Sequence, residues 1–210
     1  MVAFGDESLY CNGILCYTID DKLRVLDIHK AAGYEFVVNI PKLLLIALPE
    51  LITVEEGQLL SCCQRRLHNS LFRVLYSSHK IIACIFTLSK ELTALIRTFD
   101  ADSPILESTA WLIAFDVDSA KILIVKGLRS NDIRFVRHNN NFLYYGIQED
   151  SGLKRWSVYG YEFEKSEWFE PLYLEGIFGS EIDSQVCFEI LGEHFLALSN
   201  KTSSEVKEVN

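Results

Sequence analysis

Short apolar runs alternate with polar turn residues along most of the chain. The runs pair up as ILCYTI with LRVLDI, FRVLY with KIIACIF, WLIAFDV with KILIV, IRFVRH with FLYYGI, RWSVYGYEF with EWFEPLYL, and QVCFEI with HFLALS. About three residues rich in Asp, Asn, Ser and Gly join the two runs of each pair, a loop that favours β-hairpins. Six successive hairpins predict a mainly β fold.

A recurring pattern indicates internal repetition. The segments VLDIHKAAGYEFVV, AFDVDSAKILIV and GYEFEKSEWFE each close a strand with an acidic residue, turn, and begin another apolar strand. The acidic residues Asp27, Asp116 and Glu162 are 89 and then 46 positions apart. These separations are roughly two and one repeats of about 45 to 50 residues. The alternative is that any antiparallel protein yields similar hairpins.

Several strands are apolar on both faces. FLYYGI, WLIAF and KIIACIF lack the alternation of a sheet with one solvated side. Propeller blades, each packed between two neighbours, meet this condition. We therefore predict a partial β-propeller of consecutive antiparallel four-stranded blades, one incomplete domain over 1–210 with about three to four blades. Complete blades are expected near 71–126 and 133–174, with 14–40 supplying most of a preceding one.

Residues 41–70 do not fit the hairpin pattern. Leu59, Leu60, Cys63 and Leu67 lie near helical spacing, which predicts a short helical insertion between blades. The tail 201–210 is expected to be poorly ordered.

The stretch 139–163 is rich in aromatic residues. A platform for stacking a ligand is one interpretation, and filling between blades is the favoured one because the strands are apolar on both faces. We expect Tyr144, Trp156 and Phe163 to be largely buried.

Charge and the N-terminal pattern narrow the function classes. The formal charge is -9 and the isoelectric point is near 5.1, which disfavours nucleic acid and anionic membrane as partners. The first residues lack the pattern of a signal peptide, and Pro49 and Glu50 interrupt the most apolar window. A cytoplasmic or nuclear protein is expected, with its six cysteines as reduced thiols.

Motifs of catalysis are missing from the sequence. There is no phosphate-binding glycine loop, no nucleophile elbow and no zinc spacing of Cys and His. We therefore expect no catalytic, cofactor-binding or metal-binding residues and no cofactor, that is, a protein that is not an enzyme. His138 and His194, at strand ends, are expected to be exposed or hydrogen-bonded.

Abundant carboxylates leave one enzymatic alternative open, a carbohydrate-active propeller with a catalytic pair. Acidic residues at turns and strand ends more often keep sheet edges soluble. The candidates are Glu162, Glu164, Glu167, Glu170, Glu175, Glu181 and Asp183.

Four segments together resemble one protein family. FVRHNNNFLYYG, GSEIDSQVCFEI, FLALSNKTSSEVKEV and NGILCYTIDDKLRVLDIHKA resemble the C-terminal, propeller-like region of fungal F-box domain proteins, over roughly residues 11–208. The resemblance implies a substrate-recognition region of a cullin-based ubiquitin ligase adaptor. In such adaptors the F-box docks a linker subunit, and the β region holds a protein target.

The chain departs from this family at the F-box itself. The family carries about 40 helical residues near its N-terminus, opening with a Leu-Pro motif, whereas this chain starts almost directly in a blade. Leu48-Pro49-Glu50-Leu51 resembles that opening but is interpreted as part of the insertion. The linker subunit is therefore expected to bind only if an F-box is supplied upstream. A fragment of a longer protein, and a folded remnant without partners, both stay open.

Overall fold

The computed structural model describes residues 8–29, 35–49, 71–99, 102, 104–130, 132–148, 155–174 and 186–199. The chain divides into two compact units, 1–131 and 132–210. Each unit is built from antiparallel sheets whose strands follow one another in chain order.

The first sheet opens the first unit, with the order β1-β2-β3-β4. Its turns use paired residues with positive φ, Asn12-Gly13 at 50° and 80° and Asp20-Asp21 at 48° and 59°. Such two-residue turns match the twist of the strands they join. The strands are β1 Ser8–Cys11, β2 Ile14–Ile19, β3 Lys22–Asp27 and β4 Glu35–Asn39.

The outer face of the first sheet is solvent-exposed. Tyr10 is 62% exposed and Val37 is 50% exposed. On the same face the Tyr17 hydroxyl donates to Glu35 at 2.6 Å, and Arg24 donates to the other Glu35 oxygen at 2.8 Å. These two hydrogen bonds lower the pKa of Glu35.

Helix α1, Ile40–Ala47, follows the first sheet directly. The side chain of Asn39 caps it by accepting from the Lys42 backbone N–H at 2.8 Å, and Pro41 stands in its first turn, where it removes no helical hydrogen bond. The helix buries an apolar face made of Ile40, Pro41, Leu43, Leu44 and Ala47.

The second sheet has the order β5-β6-β7-β8. Its two central strands are buried along almost their whole length, as the double-sided apolar pattern predicted. The strands are β5 Leu71–Ser78, β6 Ile81–Thr87, β7 Ala110–Asp116 and β8 Ile122–Leu128.

A helix that the hairpin pattern did not predict stands between β6 and β7. Helix α2 spans Lys90–Phe99, and a 3-10 turn spans Pro104–Glu107. Apolar residues at positions 92, 95, 96 and 99 follow the spacing of one helical face, so the sequence carried a signal for it.

One hydrophobic core joins the first sheet, α1 and the second sheet. Cys16, Leu23 and Val25 of the first sheet belong to the same cluster as Ile82, Cys84, Phe86, Ile113 and Phe115 of the second.

The third sheet, in the second unit, has the order β12-β11-β10-β9, and β13 also pairs with β11. A separate hairpin, β14-β15, follows. The strands are β9 Ile133–His138, β10 Phe142–Gln148, β11 Trp156–Glu162, β12 Glu167–Trp168, β13 Leu172–Leu174, β14 Val186–Leu191 and β15 His194–Ser199.

Aromatic rings fill the space between the third sheet and the β14-β15 hairpin. Phe135 stacks on Phe188 with centroids 3.9 Å apart, and Tyr144 stacks on Phe195 at 4.7 Å. On the opposite face of β10 and β11, Tyr145 stacks on Tyr159 at 4.9 Å.

The three aromatic side chains expected to be largely buried have intermediate burial. Tyr144, Trp156 and Phe163 keep a minor part of their surface exposed, whereas Tyr145 and Tyr161 are buried. Rings at the edge of the aromatic layer keep part of their surface in solvent.

The predicted fold class is confirmed. The fold is mainly β, with consecutive four-stranded antiparallel sheets at 8–39 and 71–128 and a third that gains a fifth short strand at 133–174. All six predicted hairpins form. Within the predicted insertion, α1 stands at the start, and 50–70 lies outside the described residues, as does the tail 201–210. One domain over 1–210 stays a prediction.

Candidate functional site: a polar cleft between the first two sheets

Three hairpin turns meet at one end of the first unit. They are the β1-β2 turn, the β5-β6 turn and the β7-β8 turn. Asn12 of the first donates its side-chain N–H to the Tyr76 hydroxyl and to the Ser77 carbonyl, each at 3.4 Å. The Val117 backbone N–H donates to the Lys80 carbonyl at 2.8 Å. Contacts between turns therefore hold this end of the two sheets together.

The turns of the second sheet have fixed conformations. His79 and Lys80 have positive φ values of 50° and 68°, as a two-residue hairpin turn requires. In the next turn the Asp116 carboxylate accepts from the Ser119 backbone N–H at 2.7 Å and from the Ser119 hydroxyl at 2.6 Å. These hydrogen bonds lower the pKa of Asp116.

Asp27 lies at the end of β3, beside the Asn12-Gly13 turn. The Ile28 N–H donates to the Gly13 carbonyl at 3.0 Å, and one Asp27 oxygen accepts from the His29 N–H at 3.0 Å. A Cβ at position 13 would lie 2.0 Å from the ring of the exposed His29, which would have to move aside. The φ of 80° at Gly13 is the stronger reason for glycine at this position.

The turns and strand ends enclose a cleft with a volume of about 240 Å³. Apolar side chains of both sheets form one part of its lining, and hydrogen-bonding side chains form the rest. The apolar part is Ile14, Val25, Phe36 and Val117, and the polar part is Asn12, Asp27, Ser77, Ser78, His79, Lys80 and Asp118.

Among the described residues that line the cleft, negative charges outnumber positive ones. Asp27 and Asp118 contribute two carboxylates, and Lys80 contributes one ammonium group. Lys80 forms an ion pair with Asp118, and this contact raises the pKa of Lys80. Hydroxyl groups lie beside these charges, with the Ser78 oxygen 2.6 Å from His79 Nδ1. The cleft can bind a polar group by charge and hydrogen bonds.

A second cavity, of about 310 Å³, lies along β1 and β2. Its lining, as far as the described residues go, consists of Arg73 and the uncharged Ser8, Leu9, Cys16, Tyr17, Thr18 and Val74. It offers fewer ionic groups than the cleft between the turns.

The three acidic residues of the predicted repeat do not occupy equivalent positions in the structure. Asp27 lines the cleft, and Asp116 braces the turn that carries Asp118 into it. Glu162 belongs to the second unit, where it forms an ion pair with Lys165 at 2.9 Å. Only two of the three repeat positions contribute to the cleft.

Those of the carboxylates considered for a carbohydrate-active site that the structure describes are not among the residues lining this cleft. Glu162 pairs with Lys165, and Glu164, Glu167 and Glu170 are exposed. Glu175, Glu181 and Asp183 lie outside the described residues.

The two histidines at strand ends differ in burial. His194 is exposed at the start of β15, whereas His138, at the end of β9, is only 3% exposed. Of the two alternatives expected for His138, solvent exposure or a hydrogen bond, the structure therefore excludes exposure.

The described part of the chain contains four of the six cysteines. Cys11, Cys16, Cys84 and Cys187 are free thiols there, and Cys62 and Cys63 lie outside it. Among the same residues, no three His, Cys, Asp or Glu side chains are placed to hold a metal ion. No described helix has the length and apolar character needed to cross a membrane.

Most of the cleft was missed by sequence reasoning. Asn12, His79 and Lys80 were not singled out, although Asn-Gly between apolar runs is a strong hairpin signal that could have marked the first turn. The approach of this turn to the second sheet depends on tertiary packing, which the local pattern does not contain.

Comparisons with known proteins show little similarity. No protein-family model matches the chain, and no curated protein matches it. Among solved structures, it is similar to the β-propeller domain of the Trilobed protease from Pyrococcus furiosus, with a TM-score of 0.39 and 10% sequence identity. The alignment covers 87% of this chain and 44% of that one, and at this level of similarity nothing follows about activity.

Proposed function

We propose that this chain is a non-catalytic protein-interaction module whose cleft between the first two sheets binds a segment of a target protein. The observation that carries the proposal is the cleft itself, in which three braced turns bring apolar and hydrogen-bonding side chains together. Binding residues often stand on loops that a rigid scaffold positions.

The size of the cleft favours a single side chain of a protein target over a whole small-molecule ligand. At about 240 Å³ it is smaller than the roughly 300–1,000 Å³ of typical small-molecule sites. It suits one side chain of a protein, with the flanking backbone of the target contacting the turns around it.

A finer proposal is that the module is the target-binding part of an F-box-type adaptor. The support for it is the resemblance of residues 11–208 to that family, which implies binding of a protein target without a cofactor. A role in the cytoplasm or nucleus belongs to the same proposal.

The proposed function is tested by quantitative affinity capture from cell extract with and without an intact cleft. Wild-type protein is compared with Asp27→Lys, which reverses a charge in the cleft, and with Glu170→Lys, which makes the same change on an exposed residue of the second unit. Circular dichroism checks that each variant is folded.

Partners retained by the wild type and by Glu170→Lys, but lost with Asp27→Lys, are the expected result. Each such partner is then purified and its binding measured directly. An identical set of captured proteins for all three forms would contradict a target site in the cleft.

A further inference from the structure

We propose that the cleft recognises an arginine side chain in an extended segment of the partner protein, an inference that rests on the proposed function. It follows from the combination of an apolar surface, clustered acceptors and negative charge in one small cavity.

The apolar lining fits the hydrocarbon part of an arginine. Ile14, Val25 and Phe36 come from the core-facing side of the first sheet and reach the cleft where that sheet ends. Long cationic side chains bury their methylene groups against such surfaces while the charged head stays with polar groups. A short polar side chain would leave this surface without a contact.

The polar lining fits the head of an arginine. A guanidinium group brings five N–H donors in a planar fork and has no acceptor. Asp27 supplies carboxylate oxygens, Asp118 adds a carboxylate that it shares with Lys80, and the buried Ser77 and Ser78 add hydroxyl oxygens. Paired N–H groups bind a carboxylate with a geometry that an ammonium group does not reproduce, which favours arginine over lysine.

Charge disfavours an anionic partner such as a phosphopeptide. Among the lining residues that the structure describes, Lys80 is the one Lys or Arg, and it already forms an ion pair with Asp118. A phosphate group would also approach the Asp27 carboxylate. The charge of -9 on the whole chain adds a long-range attraction for basic segments.

The test is a titration of isotope-labelled protein comprising residues 1–210, followed through its amide chemical shifts. Four acetylated, amidated pentapeptides are used, with two glycines on each side of arginine, citrulline, lysine or phosphoserine. Citrulline has nearly the shape of arginine without its charge. We expect the arginine peptide to shift the amides of Gly13, Ile28 and Lys80 in a saturable manner, and the citrulline peptide to bind at least tenfold more weakly.

Variants separate the role of the cleft from nonspecific attraction. Asp27→Asn is expected to weaken binding of the arginine peptide at least tenfold, and Asp118→Asn provides a second variant in case the first one loses its fold. Glu164→Gln removes the same charge from an exposed turn of the second unit and is expected to bind as the wild type does.

Four results would overturn the inference. They are equal binding of citrulline and arginine peptides, tighter binding of the phosphoserine peptide, shifts confined to residues away from the cleft, and an absence of shifts. Equal, saturable binding of citrulline and arginine at the cleft would leave the proposed interaction function in place while removing its charge selectivity. The function itself is overturned by the capture experiment, so the two failures are distinguishable.

Discussion

At the scale of single residues, two glycines leave room for aromatic rings in the second unit. A Cβ added at Gly146 would lie 2.0 Å from the Phe135 ring, and one added at Gly160 would lie 2.5 Å from the Tyr144 ring. Both rings stack on the β14-β15 hairpin, so neither can move without disturbing that contact. Because glycine has no side chain, these two positions leave the space that the aromatic rings occupy.

We predict that Gly146→Ala and Gly160→Ala each lower the free energy of unfolding by about 1–3 kcal/mol, the usual cost of overpacking a core. Urea unfolding followed by circular dichroism measures the change. Gly192→Ala is the control for space, because a Cβ there has no atom within 4 Å, although its φ of 61° adds some backbone strain. A smaller loss at Gly146 or Gly160 than at Gly192 would contradict this packing.

The buried thiols predict a response to alkaline pH. Burial raises the pKa of Cys16 from 9.0 to about 11, against a hydrogen bond from Ser77 that lowers it, and burial also raises the pKa of Cys84. Above pH 9 the unfolded chain loses the thiol protons while the folded chain keeps them. The stability that these groups contribute is therefore present below pH 9 and is lost as the pH rises towards 11.

We expect the contribution of Cys16 to fall by about 2–3 kcal/mol over these two pH units. The measurement compares urea unfolding of wild type and Cys16→Ala at pH 8, 9, 10 and 11 with a reductant present. The wild type should lose stability more steeply than the variant, since both share every other titrating group. Parallel pH profiles would show that the Cys16 thiol is not protected in the folded state.

At the scale of elements, local turn chemistry explains why the hairpins were predictable. Asp20-Asp21 and the segment 139–141 are polar breaks between apolar runs, and each lies where the structure has a turn. Helix α2 was missed because its apolar spacing stands between two strong strand signals. Elements with a distinctive local pattern could be predicted, and those that compete with their neighbours could not.

The cap of α1 gives a prediction at this scale. Asn39→Ala removes the acceptor for the Lys42 N–H and is expected to lower the free energy of unfolding by about 1 kcal/mol. Asn39→Asp keeps an acceptor oxygen and is the matched control, expected to stay within a few tenths of a kcal/mol of wild type. Urea unfolding of the three proteins at pH 7 decides between them. Equal losses for both variants would show that the cap contributes no stability.

At the scale of the whole molecule, the candidate site was much less predictable than the fold. Asp27 was marked by its place in a repeat, but the cleft residues of the second sheet lie 50 to 91 positions further along the chain. The packing of the first sheet against the second brings these segments together, through core residues such as Val25 and Phe115. The hydrophobic periodicity of each strand carries no information about how the two sheets pack together.

The last prediction concerns the F-box, the element through which proteins of the resembled family bind the ligase. We expect the chain not to bind the cullin linker subunit, although the Leu48-Pro49 pair resembles the opening of an F-box. Leu48 is 3% exposed, belongs to the core cluster, and donates its backbone N–H to the Leu44 carbonyl at 2.8 Å. Its side chain already packs inside the first unit and is not presented to a partner.

A binding assay with purified linker subunit, by calorimetry at micromolar concentrations, tests this prediction. The same assay with a complete F-box fused before residue 1 is the positive control, because the family resemblance implies binding when that element is supplied. Leu48→Ala should lower the free energy of unfolding by about 2–5 kcal/mol, as expected for a buried leucine, without changing a binding signal that is already absent. Tight binding by the unfused chain that weakens on Pro49→Ala, a change at an exposed residue, would establish a working docking element in this segment. The buried position of Leu48 argues against recruitment of the ligase through the Leu48-Pro49 pair.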